Sequence, residues 1–165
     1  MKSFIPAILT LTFCFFNSSC LAEVTKYPEG WNFPADDETS QTWRKSDSQK
    51  FLAVSGDFNG DGRVDDAKIL LSEDKKLLGL FVFLSNFQDS YKIIELDQKA
   101  YEYIDVIGIE LFEKGIYRQR GDKAFHEGDI SFKNDSIKYF KYDGAYGVYS
   151  WNAKFGKFEF VGLND

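Results

Sequence analysis

The chain has 165 residues, with 20 Lys and Arg against 26 Asp and Glu, a formal net charge of −6 and a single histidine. An acidic balance with no basic patch argues against nucleic acid or anionic lipid as a partner. Hydrophobic residues make up 44% and aromatic residues 18%, with 17 Phe and 9 Tyr, which is enough for one domain with a real core and a composition that favours sheets.

Residues 1–22 read as a secretory leader. Lys2 supplies the positive charge, Phe4 to Phe16 the apolar run, and cleavage is expected after Ala22. The run is too short to span a membrane, which takes about 20 residues. The alternative is a lipoprotein leader with Cys20 as the lipidated residue. Both cysteines, Cys14 and Cys20, lie in this leader, so the remainder is expected to hold no disulfide and no thiol nucleophile. Lys2 is the only charged residue lost, which shifts the balance to −7. The expected location is the periplasm or the cell exterior, without membrane insertion.

Residues 23–50 are rich in turn formers, and Trp31, Phe33 and Trp43 are expected to pack this segment onto a sheet. Asp36 to Arg44 reads as one short helix capped by Asp36 or Asp37. Residues 51–165 read as a single β-rich domain. Phe51-Leu52-Ala53-Val54 and Ala67-Lys68-Ile69-Leu70-Leu71 are strands around a polar loop. Leu77 to Leu84 is nearly continuous apolar sequence, the pattern of a central strand buried on both faces. Tyr91 to Leu96 returns as a strand, Asp97 to Tyr103 is irregular or one helical turn, and Tyr103 to Phe112 is a further strand. Ile116 to Arg118, Asp129 to Phe132, Ser136 to Tyr142, Gly147 to Trp151 and Lys157 to Val161 complete the series, with a polar loop from Gln119 to Gly128. Strands so spaced predict a mainly β fold: an antiparallel meander, a curled sheet or a small barrel.

The polar loop between the first two of these strands carries the one specific motif. Asp57, Asn59 and Asp61 place oxygen-bearing side chains at alternate positions, Gly62 follows where a sharp turn is needed, and Asp65 comes last. A hard cation takes six to eight oxygens, and side chains two apart in a tight loop point to one centre. Arg63 would contribute its backbone carbonyl. Without a cation, like charges at about 4 Å cost about 4 kcal/mol per pair at an effective dielectric of 20. The reading is a calcium loop, with Asp57, Asn59, Asp61, Arg63 and Asp65 as ligands and Ca²⁺ as the bound ion. The rival is an Asn/Gly/Asp-rich hairpin turn without metal.

An EF-hand needs Glu at the twelfth loop position, where Lys68 stands. The strand–loop–strand setting instead resembles the calcium loops of integrin-type FG-GAP or VCBS repeats, matched at Asp57, Asn59, Asp61, Gly62 and Asp65. That likeness covers about residues 51–72 and implies a calcium loop. It does not imply a propeller, which would need several such units. More widely the chain is similar to a family of small exported bacterial proteins. The likeness rests on Tyr27-Pro28-x-Gly30-Trp31, Trp43-Arg44, Gly56 to Asp61, Asp65-Asp66-Ala67, Gly79 to Ser85, Gly108 to Leu111, Tyr139-Phe140 and Trp151-Asn152. It implies one exported domain built about the loop and assigns no reaction. Members tend to have cysteines in the region of Gln119 to Glu127, where this chain has none.

No catalytic set stands out. His126 lies in a loop without a nucleophile signature, and one histidine cannot build a histidine zinc site. Acid pairs such as Glu110 with Glu113 or Asp36 with Glu38 are commonplace in an acidic chain. Among the C-terminal aromatics, Tyr146 and Tyr149 are the expected exposed pair. The leading expectation is an exported, non-catalytic domain with a structural calcium ion. The alternatives are a periplasmic inhibitor or immunity-type protein that binds another protein, such as a cell-wall hydrolase, and a calcium-dependent hydrolase.

Overall fold

The computed structural model describes residues 27–39, 42–44, 47–86, 90–119 and 128–164. Residues 1–22, where a leader is expected and both cysteines stand, and His126 lie outside the described residues. Among the described residues, eleven strands form three antiparallel sheets. β3 (Asp65–Ser72), β4 (Leu77–Ser85) and β5 (Tyr91–Ala100) make a meander. On the far edge of β3, β1 (Trp31–Asn32) pairs with Leu71 and Ser72, while β2 (Ala53–Gly56) pairs with Asp65 to Lys68. The second sheet runs β11 (Lys157–Asn164), β10 (Tyr146–Asn152), β9 (Ser136–Lys141), β6 (Ile107–Phe112). Between β6 and β9 the chain makes the separate hairpin of β7 (Gly115–Gln119) and β8 (Gly128–Phe132).

The pattern of apolar residues explains the layering. Ala67, Ile69 and Leu71 of β3 and Leu78, Leu80, Val82 and Leu84 of β4 project to one face. There they meet Ile107, Ile109 and Ile137 from the second sheet, which forms the main core. The intervening residues Leu70, Phe81 and Phe83 project the other way and are covered by Tyr27, Trp31 and Phe33. Burial of β4 on both faces follows directly from its unbroken apolar run. The outer face of the second sheet is covered in turn by the hairpin, with Phe132 against Val148 and Leu163.

The two sheets are joined along one side. Phe51 takes the left-handed conformation, φ +69°, an uncommon state for a bulky residue. The turn sends successive carbonyls to different sheets: that of Phe51 accepts from Ile109 N–H and that of Leu52 from Ile69 N–H, both at 2.8 Å. Among the described residues, the sheets do not close into a barrel.

Among the described residues, the stretch from Asp36 to Arg44 expected as one helix holds two 3-10 turns, Asp36–Glu38 and Thr42–Arg44. Neither expected aspartate caps the first turn; Ala35 stands at that position without a side-chain cap. Glu38 reaches back to accept from Ala35 N–H at 2.8 Å. Arg44 is fully buried and donates to the carbonyls of Lys50, Ile104 and Ile107, the last two at 2.8 Å each. The expected strand from Tyr103 begins later, because Tyr101–Asp105 form a 3-10 turn that buries Ile104. β5 runs on through Asp97 to Ala100, past a register shift between Leu80 and Phe81.

Candidate functional site

The loop between β2 and β3 is wound by its own acids. Asp57 accepts from the N–H of Gly60 at 2.9 Å through one oxygen and from that of Gly62 at 3.0 Å through the other. Asn59 Oδ1 accepts from Asp61 N–H, and Asp61 Oδ1 from Arg63 N–H, both at 2.9 Å. These are local side-chain-to-backbone bonds of the kind Asp and Asn make in turns. Each closes a small ring, so three alternate side chains are curled along one chain path. Gly60 and Gly62 sit at φ +78° and +83°, which only glycine adopts without strain.

Asp65 differs from the other acids in the loop. Its side chain is fully buried. Oδ2 accepts from Phe58 N–H at 3.0 Å and Oδ1 from Ser85 N–H at 2.9 Å. Burial raises its pKa, and these amide bonds oppose the shift without cancelling it. Phe58, between the acids, is also fully buried and anchors the loop in the main core.

A second turn grips the loop from outside. Asp135 accepts from Asp57 N–H at 3.3 Å and from Lys114 N–H at 3.4 Å. Asn134 donates to the Phe58 carbonyl at 3.5 Å. Its amide lies so close to Gly60 that an added Cβ there would meet Oδ1 at 2.5 Å. Neither residue stood out in the sequence except as a break between strands. The buried Phe in an otherwise polar loop was the available signal of an anchored one.

The donors suit a hard cation, being carboxylate, amide and carbonyl oxygens. Asp57, Asn59 and Asp61 stand along the curl, while Asp65 is turned to the amides of Phe58 and Ser85. Among the described residues, no three acidic, histidine or cysteine side chains are already gathered at metal-holding distance. An ion seated here would have to draw the carboxylates together, and Asp65 would have to serve it while keeping its amide bonds.

The other sequence candidates are dispersed. Glu110 is ion-paired with Lys138 at 2.8 Å, and Asp36 accepts from Ser48 Oγ at 2.8 Å. Glu38 is ion-paired with Lys75 at 2.6 Å, which lowers its pKa. A general acid needs the opposite shift. Tyr146 and Tyr149 are half-buried; the exposed aromatics in that region are Tyr142, Phe155 and Phe160. Tyr149, expected to be exposed, is instead packed against the main core, and its burial, with Asp97 nearby, pushes its pKa up to about 12.

No protein-family model matches this chain, and no curated protein or solved structure does.

Proposed function

We propose that the protein is an exported, non-catalytic domain in which a calcium ion bound by residues 57–65 locks the joint between β2 and β3. The support is the winding of the loop. Asp57, Asn59 and Asp61 each bond an amide further along, two of the glycines take positive φ, and Phe58 and Asp135 fix the loop from two sides. Asp57, Asn59 and Asp61 would supply side-chain oxygens, Arg63 its carbonyl, and Asp65 the closing carboxylate. The ion would offset the mutual repulsion of the acids and tie the loop to β4 through the Asp65–Ser85 bond.

Extracellular-type calcium sites bind at about 10⁻⁴–10⁻³ M. At 100 times the dissociation constant the ion adds about 2.7 kcal/mol of stability. The test is thermal unfolding in calcium and in EGTA. The wild type should melt several degrees higher in calcium, and Asp61→Ala should lose most of that rise. An unchanged rise in Asp61→Ala would remove the proposal.

A second reading, a periplasmic inhibitor or immunity-type protein, draws on one surface feature. Trp43 is stacked between Phe51 and Tyr142, with centroids at 5.4 and 4.9 Å, and Tyr142 is exposed. Rigid aromatics of this kind are common anchors at protein interfaces. A cell-wall hydrolase whose inhibition is unaffected by Tyr142→Ala would count against this surface.

A further inference from the structure

On the side of the two sheets away from the Phe51 joint, each sheet ends in an edge strand. β5 and β11 are the last strands of their sheets there, and neither pairs with a further strand among the described residues. Between them lies a cleft of about 300 Å³ with an almost wholly apolar lining. It sits at the Lys141 end of β9, whereas the 57–65 loop meets the chain just before the other end, at Asp135.

Two glycines contribute backbone to the lining of the cleft. Gly147 and Gly162 face each other in register across β10 and β11, beside a register shift between Tyr146 and Gly147. The neighbouring positions on that face carry rings: Tyr149 pairs with Phe160 and Trp151 with Phe158. Paired glycines weaken a sheet, and glycine within a strand often marks a place where something approaches the backbone closely. Here the ring of Phe160 lies over Gly147, where an added Cβ would meet Cζ at 2.2 Å. Phe160 nevertheless remains 53% exposed. Tyr103, Ile107 and Tyr139 line the rest of the cleft.

Charge at the mouth is one-sided. Lys99 is ion-paired with Asp97 at 2.9 Å. Lys141 has no acidic partner among the described residues, so the unspent charge at this cleft is positive in a chain of net charge −6. A volume of about 300 Å³ is the lower limit for small-molecule sites and equals about ten water volumes.

We propose that this cleft binds a small aromatic carboxylate, with its ring beside Gly162 and Phe160 and its carboxylate at Lys141. The aromatic side chains of the lining favour an aromatic body, since rings pack in offset or edge-to-face pairs. The lone ammonium at an apolar mouth selects an anionic head. This site is independent of calcium at the loop.

The test is amide NMR of the isotope-labelled full chain titrated with 3-phenylpropionate, in EGTA. Saturable shifts should centre on Lys141, Gly147, Phe160 and Gly162. Gly162→Val, which adds bulk to the lining, should abolish them. Lys141→Ala, a surface change that leaves the fold intact, should weaken 3-phenylpropionate about tenfold and leave the uncharged 3-phenylpropanol unaffected. Absence of saturable shifts at millimolar ligand would overturn the proposal. So would equal binding by Lys141→Ala, or tighter binding of octanoate than of 3-phenylpropionate.

Discussion

Replacing Asp65 by Asn separates its two roles. The substitution keeps the shape and removes the charge. One of the two buried amides, Phe58 N–H at 3.0 Å or Ser85 N–H at 2.9 Å, then faces an NH₂ group and loses its acceptor. An unpaired buried donor costs about 1–3 kcal/mol, offset in part because a charge disfavoured by burial is gone. The expected net loss in EGTA at neutral pH is about 1 kcal/mol, or about 3 °C for a chain of this size. If calcium binds as proposed, the wild type should also gain from the ion. If Asn weakens binding tenfold, about 1.4 kcal/mol of that gain disappears, and the gap widens to about 7 °C. The pH dependence follows from the raised pKa of Asp65. The folded chain holds this proton to higher pH than the unfolded chain, whose carboxyl titrates near 3.8. Stability is therefore lost as pH rises through that window and regained on acidification. In EGTA the wild type should gain on the Asn variant between pH 7 and pH 4.5. Calorimetry of both proteins at both pH values, with and without calcium, decides the matter. A gap that calcium does not widen would refute Asp65 as a ligand, and a gap that pH does not move would refute the burial argument.

Arg44→Met leaves the carbonyls of Lys50, Ile104 and Ile107 without their shared donor. At about 1–3 kcal/mol each, less the desolvation of the guanidinium, the expected loss is about 3 kcal/mol, or about 10 °C in melting temperature; a change under about 2 °C would contradict the staple role. Gly60→Ala forces a left-handed alanine into the side chain of Asn134. It should cost about 1–2 kcal/mol and raise amide exchange in the turn at residues 134–135; unchanged exchange there would separate the turn from the loop.

The sequence was most informative where one physical rule acted alone. The apolar run of β4 could be buried only on both faces, and it is. The strands of the C-terminal third were bounded by turn residues and fall within a few residues of their expected places. Of the helix expected over residues 36–44, the described residues form only two 3-10 turns, although Glu38 accepts from Ala35 N–H in the manner of a helix start. The sheet order was not legible: β6 pairs with β9 across an inserted hairpin, a long-range choice made by which faces need cover. In the loop, the spacing of Asp57, Asn59 and Asp61 was plain in the sequence. The burial of Asp65 was not, since it depends on Ser85, twenty residues away.

The most direct measurement is a calorimetric titration of the calcium-stripped protein with calcium, run beside Asp61→Ala. The account predicts one saturable site in the wild type, with a dissociation constant of about 10⁻⁴–10⁻³ M, and little or no heat in the variant. Identical heats from the two proteins, or none from either together with no metal by elemental analysis, would contradict it.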